Sequence, residues 1–194
     1  MNELFFSVDV ETDGPIPGPH SMLSLGCVAL DIEGTEHGTF SANLETLPGA
    51  APHPETTAWW KTQPKAWAAC RKDLETPEVA MKRFNDWVES FPAREKTMVC
   101  CPAGFDFTHV VWYLVQFTGQ SPFNFQCVDM RSFIMGLRGK RHRQTSRRYW
   151  PKRWHNPLPH THVALDDARE QGMSFIVMLQ ESRKRASDST PPEP

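Results

Sequence analysis

Leu4-Phe5-Phe6-Ser7-Val8-Asp9-Val10-Glu11-Thr12 is an apolar run interrupted by two carboxylates. The run reads as a buried β-strand. Acidic side chains have no inexpensive reason to enter such a strand, because a buried charge without a partner is costly. Residues two apart on a strand project to the same face, so Asp9 and Glu11 can converge on one cation. Taken alone, the pair also fits a strand end whose carboxylates are bound by backbone amides.

Working outward, residues 4–10, 23–30 and 39–44 read as three consecutive strands, the last two joined by a turn over 31–38. The intervening Gly14-Pro15-Ile16-Pro17-Gly18-Pro19-His20 is too rich in Gly and Pro for regular structure and is expected to form a loop at the edge of a site. From Thr56 the spacing turns helical through Trp59, Trp60, Trp67 and Cys70, with Pro64 kinking or dividing the segment. Pro77 suits the first turn of a helix that carries Val79, Met81, Phe84, Trp87 and Val88 on one face. A fourth strand over 98–101, a helix over 105–117 closed by Gly119, and a short helix within 128–137 follow. The last helix begins near Val163 and runs to about Lys184. One domain is expected over residues 1–185, and the polar, proline-rich 186–194 is expected to be a disordered tail.

Two further acidic positions stand out. Asp106 closes Cys100-Cys101-Pro102-Ala103-Gly104-Phe105-Asp106 at a strand-to-helix junction, where it also fits a helix N-cap. His162-Val163-Ala164-Leu165-Asp166-Asp167 places a His five residues ahead of an Asp. Five helical positions rotate a side chain by about 140°, so His162 and Asp167 can face one site only if His162 lies in the loop before the helix. Taken in order, with Thr12 and Gly14 after Asp9-Val10-Glu11, these blocks resemble the DEDDh family of 3′-to-5′ exonucleases, nearest its phage exonuclease and RNase T-like branch. The resemblance extends from about Leu4 to about Leu179. It implies an α/β fold, the ribonuclease H-like mixed sheet flanked by helices. His160 and Asp166 compete for the last two positions, and the family spacing selects His162 and Asp167.

The resemblance also implies a mechanism. Two Mg²⁺ or Mn²⁺ ions would be held by Asp9, Glu11, Asp106 and Asp167, with His162 as general base toward the attacking water. Hard, oxygen-seeking cations suit carboxylate ligands. In this scheme Asp9 bridges both ions, Glu11 and Asp167 hold the one that bears the water, and Asp106 supports the second. Thr12 is a candidate reader of the sugar, and Met22 and Leu23 are candidate wedges against the terminal base, with plain core packing the alternative. Of the neighbouring Trp59 and Trp60, one is expected to line the substrate side, with Trp60 the candidate; packing of both into the core is the alternative. An accessory subunit that keeps the fold but not turnover, whether nucleic-acid binding or polymerase-associated, and a small-nucleotide phosphodiesterase are the competing functions.

Charge distribution points to the substrate. Eight of the 21 Lys and Arg fall within 138–153, a stretch without Asp or Glu, leaving 13 against 23 acidic residues elsewhere. Cations interleaved with aromatics suit single-stranded RNA or DNA, and Arg147 and Arg148 are the candidate contacts. A solvated basic loop is the plainer reading. Five cysteines, without metal-site spacing, are expected to be reduced thiols. No apolar run approaches the roughly 18 residues of a membrane span, and no signal peptide is evident, so a cytoplasmic protein without a membrane partner is expected. A homodimer is compatible with these features.

Overall fold

The structure, a computed structural model, describes residues 2–125 and 127–189. Six strands form one mixed sheet: β1 (Glu3–Thr12), β2 (Met22–Leu30), β3 (Glu36–Leu44), β4 (Leu74–Glu75), β5 (Glu95–Cys100) and β6 (Cys127–Asp129). The helices are α1 (Pro54–Trp60), α2 (Pro64–Cys70), α3 (Pro77–Glu89), α4 (Asp106–Thr118), α5 (Met130–Arg138) and α6 (Ala164–Ser189). The sheet order is β4-β3-β2-β1-β5-β6. The first three strands pair antiparallel, whereas β5 pairs parallel with both β1 and β6. That is the ribonuclease H-like arrangement, with β1 between an antiparallel and a parallel neighbour.

Strand alternation divides β1 between two layers. Leu4, Phe6, Val8 and Val10 pack with Met81, Phe84 and Val88 of α3 and Val110, Tyr113 and Leu114 of α4. Phe6 meets Trp87, Phe91 and Phe123 edge-on at centroid separations of 5.8, 5.5 and 5.3 Å. Burying one such ring contributes roughly 1.5–3 kcal/mol. The opposite face is Phe5, Ser7, Asp9 and Glu11, and α6 lies along it. Phe175 touches Phe5 at a centroid distance of 5.4 Å, and the Gln171 amide donates to the Val8 carbonyl at 2.5 Å.

Close approach of α6 depends on two glycines. A Cβ on Gly26 of β2 would stand 2.2 Å from the Ala164 carbonyl carbon, and one on Gly172 would stand 2.7 Å from the Ser7 Cβ. Gly26 sits opposite Asp9 in the β1–β2 register. The glycine therefore lets the head of α6 descend onto the sheet where Asp9 sits. Gly26→Ala is expected to cost about 1–3 kcal/mol, as overpacking against rigid backbone does, and to reduce activity by displacing the helix head. Urea unfolding beside an activity assay checks this, and a wild-type midpoint with wild-type activity would refute it.

Several boundaries differ from those expected. Pro64 divides the tryptophan segment into α1 and α2. Strand β6 went unread because three residues carry no periodicity. Helix α6 continues to Ser189, into the stretch expected to be disordered, while 190–194 lie outside the described residues. Just before that stretch, Arg183 reaches Glu3 at 2.6 Å and ties the helix to β1. All five cysteines are free thiols.

Candidate active site

Asp9 and Glu11 leave the α6 side of β1 near its C-terminal end. Asp167 enters from the first turn of α6, and carboxylate oxygens of all three lie within 4.8 Å of one another. Asp106 stands outside that triad, 3% exposed, in the first turn of α4. It does not act as an N-cap: Phe105 occupies that position. The nearby backbone amides of Val10 and Cys101 pull its pKa down against burial, so its carboxylate faces β1 and the residue that follows β5.

Three of the four acids are pushed above their ordinary range. Burial first, and then the charges of Asp106, Glu11 and Asp167, raise Asp9 well above the ordinary aspartate range. Burial, with Asp167 and Asp106 beside it, lifts Glu11 to about 8. Burial also raises Asp106, although backbone amides work against it. Asp167 goes the other way: burial opposes it, but a hydrogen bond from His160 and the amides of Thr161 and His162 hold it low. Among the described residues, no ion pair involves Asp9, Glu11 or Asp106. Buried carboxylates packed together without a countercharge fit a divalent cation and little else.

Glu11 makes the stability of the fold depend on pH. Its folded value of about 8 exceeds the 4.5 of a free glutamate, so between these values the folded chain binds more protons than the unfolded one. Stability of the metal-free protein then falls as pH rises through that window. Cations bind the deprotonated cluster, so Mn²⁺ is expected to raise the melting temperature more at pH 8.5 than at pH 6. Equal shifts at both values, by scanning fluorimetry, would contradict this.

His162 precedes α6 in a left-handed backbone conformation, φ 57°, uncommon for a side-chain-bearing residue and frequent at functional sites. Its amide donates to one Asp167 oxygen at 2.9 Å and the Thr161 amide to the other at 2.8 Å. Its ring meets Trp59 edge-on at 5.0 Å. Burial and the neighbouring His160 lower its pKa, favouring the neutral imidazole that a base requires. His160 Nδ1 lies 3.2 Å from Asp167 Oδ2. Asp166 accepts from the Thr161 hydroxyl and stays out of the acid cluster.

The expected substrate residues divide. Thr12 is buried at the site margin, its hydroxyl donating to the Gly14 carbonyl at 2.9 Å. Met22 is corrected: it is fully buried in the core, its amide donating to the Tyr113 hydroxyl. Trp60 is likewise corrected. It is 4% exposed, packed with Leu23, Ala66 and Cys70, its indole N–H donating to the Thr12 carbonyl at 2.8 Å. Trp59 is the exposed member, at 38%, and lines the cleft beside Glu11. One helical step separates the two by about 100°, and sequence alone did not say which faces inward.

Within the basic block, Arg147 pairs with Glu170 at 2.8 Å beside the acid cluster, while Arg148 is exposed and stacks over Tyr149. Trp154 is core, its N–H bound to Glu181, and so is unavailable to stack on a base. Glu170, Arg131 and Asn156 were missed by sequence reasoning. Asp167, Glu170, Ser174 and Glu181 share one face of α6 at intervals of three, four and seven, a spacing that could have disclosed Glu170.

A mixed sheet that gathers acids in this order defines the class of DEDDh-type 3′–5′ exonucleases, and known proteins agree. The nuclease domain of 3′hExo, described as a DEDDh family member bound to rAMP, superposes with TM-score 0.68 at 14% identity, covering 93% of each chain. Escherichia coli exonuclease I, solved in a complex with single-stranded DNA, gives 0.66 at 13% identity over 97% of this chain and 42% of its own. The 3′–5′ DNA exonuclease Cap18 of Escherichia coli is 31% identical over 189 residues, 96% of this chain and 97% of that protein. The family model of the 3′–5′ exoribonuclease Rv2179c-like domain matches residues 4–179, and the chain belongs to this family.

Proposed function

We propose that this exonuclease removes nucleotides from the 3′ end of single-stranded RNA or DNA with two divalent ions, Mg²⁺ or Mn²⁺. The observation that carries the reading is the convergence of Asp9, Glu11 and Asp167 within 4.8 Å, with buried Asp106 adjoining. Asp9, Glu11 and Asp167 would hold one cation, and Asp106 with Asp9 the other. Such ions supply a water nucleophilic near neutral pH and neutralise charge on the phosphate. His162 takes the proton of the attacking water, in the role of general base. No helix among the described residues is long and apolar enough to cross a membrane.

Polarity is supported by the cleft on the Glu11 side. Glu11, Thr12, Pro15, Trp59 and Phe105 line a space of about 290 Å³ that has no Lys or Arg in its wall. A 3′-terminal nucleoside carries no charge beyond the scissile phosphate, so an aromatic, cation-free pocket suits it. Thr12 Oγ1, already donating to Gly14, retains lone pairs to accept a 2′-hydroxyl, which favours no exclusion of RNA. The family is described by its exoribonuclease activity and the curated relative by DNA, so both sugars belong in the test.

The test uses 5′-labelled RNA and DNA single strands with Mg²⁺ or Mn²⁺, with and without a 3′-phosphate. A ladder shortening from the 3′ end, slowed by the 3′-phosphate that the cation-free pocket repels, is expected. Internal cuts, or shortening that persists in excess chelator, would overturn the proposal.

A further inference from the structure

A second and larger cleft opens on the other side of the acid cluster. It holds about 520 Å³, and its wall includes Asp9, Asp167, His160, Arg131, Arg147 and Trp150. The two spaces differ in charge: the Glu11-side cleft contains no cation, and this one contains two arginines. A strand entering the site presents the same asymmetry. Its terminal nucleoside has one phosphate, the scissile one, whereas the next nucleotide brings another phosphodiester on its 5′ side.

From that match, and resting on the exonuclease reading above, we infer that the Arg131–Arg147 cleft receives the penultimate nucleotide, and that Arg147 binds the phosphate on its 5′ side. Arg147 is preset for the task. Its side chain is 37% exposed and its partner Glu170 only 5%, so the guanidinium rests one nitrogen on a buried carboxylate, 2.8 Å away, and keeps its other donors. Glu170 is itself fixed. Asn156 donates to the Glu170 carbonyl at 2.8 Å and to the Ser174 hydroxyl at 3.0 Å, pinning the segment before His160 to α6. Arg131 adds a second cation, with Nε donating to the Thr145 hydroxyl at 3.2 Å and thereby joining α5 to the loop. Trp150, whose indole N–H is bound to the Thr145 carbonyl at 2.8 Å, gives the upstream base an aromatic wall. Arg147 is thus a binding residue, and Glu170 a positioning residue that acts through it.

The inference is tested with two dinucleotides, one bearing a 5′-phosphate and one a 5′-hydroxyl, each made as RNA and as DNA. The added phosphate stands where the next phosphodiester of a longer strand would be. Wild type is expected to cleave the phosphorylated form with kcat/KM roughly tenfold higher, the gain of one charge-assisted contact. Arg147→Gln is expected to bring that preference close to unity, Arg147→Lys to keep part of it, and Glu170→Gln to reduce it through KM more than kcat. Because the reading is a ratio between substrates, a variant that merely folds less well lowers both rates and leaves the ratio. Degradation of a 20-nucleotide strand should also lose about one unit of salt dependence in Arg147→Gln. Equal wild-type rates on the two dinucleotides, no cleavage of either while the long strand is degraded, or a preference kept by Arg147→Gln would overturn the subsite. Failure of wild type on the long strand itself would sink the exonuclease reading instead.

Discussion

Asp9→Asn is expected to reduce strand degradation by about 10³-fold or more while leaving the metal-free protein as stable as wild type, or more so. The two effects have one origin. Asp9 adjoins three other carboxylates, and burial and their charges force its pKa up. A neutral amide of nearly the same shape relieves that repulsion but cannot replace a charged ligand. In chelator, the variant should melt at the wild-type temperature or a few degrees above it, since about 1 kcal/mol corresponds to roughly 2–4 °C at this length. With Mn²⁺ present, wild type should gain stability and the variant little. Structural carboxylates give the opposite pattern, because removing an acid that helps hold the fold lowers the melting temperature with or without metal. Activity assays beside melting curves distinguish the cases, and a variant that keeps more than a tenth of wild-type activity would refute the assignment of Asp9.

His162→Gln is expected to cost about 10²–10⁴-fold in kcat, the usual contribution of a general base, with metal binding intact. Burial and His160 hold the imidazole below 6.5, so it is neutral at pH 7 and becomes protonated, and useless as a base, only as pH falls further. Wild-type kcat/KM should therefore decline on the acid side, and this limb should vanish in the variant. His160 is the internal control. It hydrogen-bonds Asp167 at 3.2 Å and is raised, not lowered, by that contact, which suits a group that orients a carboxylate and not one that accepts a proton. Should His160→Gln remove the acid limb while His162→Gln retains it, the two histidines exchange roles.

The Asp9–Glu11 pair was legible because its physics is local, whereas Asp106 and Asp167 were legible only through the resemblance to a family. Asp9 and Glu11 lie two apart on a strand, and a buried strand excludes unpaired acids unless something binds them. His162 came from the spacing of the family that the chain resembles, rotation arithmetic adding only that it must lie before the helix, and the structure places it in the loop before α6. What the sequence hid is what depends on packing between distant segments. Trp59 and Trp60 are neighbours, and only the position of Thr12, 48 residues upstream of Trp60, decides which indole turns inward. Met22 begins β2 and its side chain lies in the core that α3 and α4 cover, its amide donating to the Tyr113 hydroxyl. The basic block read as one charged strip, whereas in the fold Glu170 and Glu181 of α6 engage Arg147 and Arg153, and Trp154 is drawn into the interior. Gly26 carries no signal in a strand pattern, and its role appears only once α6 lies against it.

The central claim is that these carboxylates are one divalent-cation site. Calorimetric titration of Mn²⁺ into wild type and Asp9→Asn near pH 8 tests it most directly. Saturable binding to wild type, with proton release and with affinity lost in the variant, is the predicted result. Equal affinity in the two proteins, or no Mn²⁺ binding by a wild-type enzyme that still shortens strands in chelator, would contradict it.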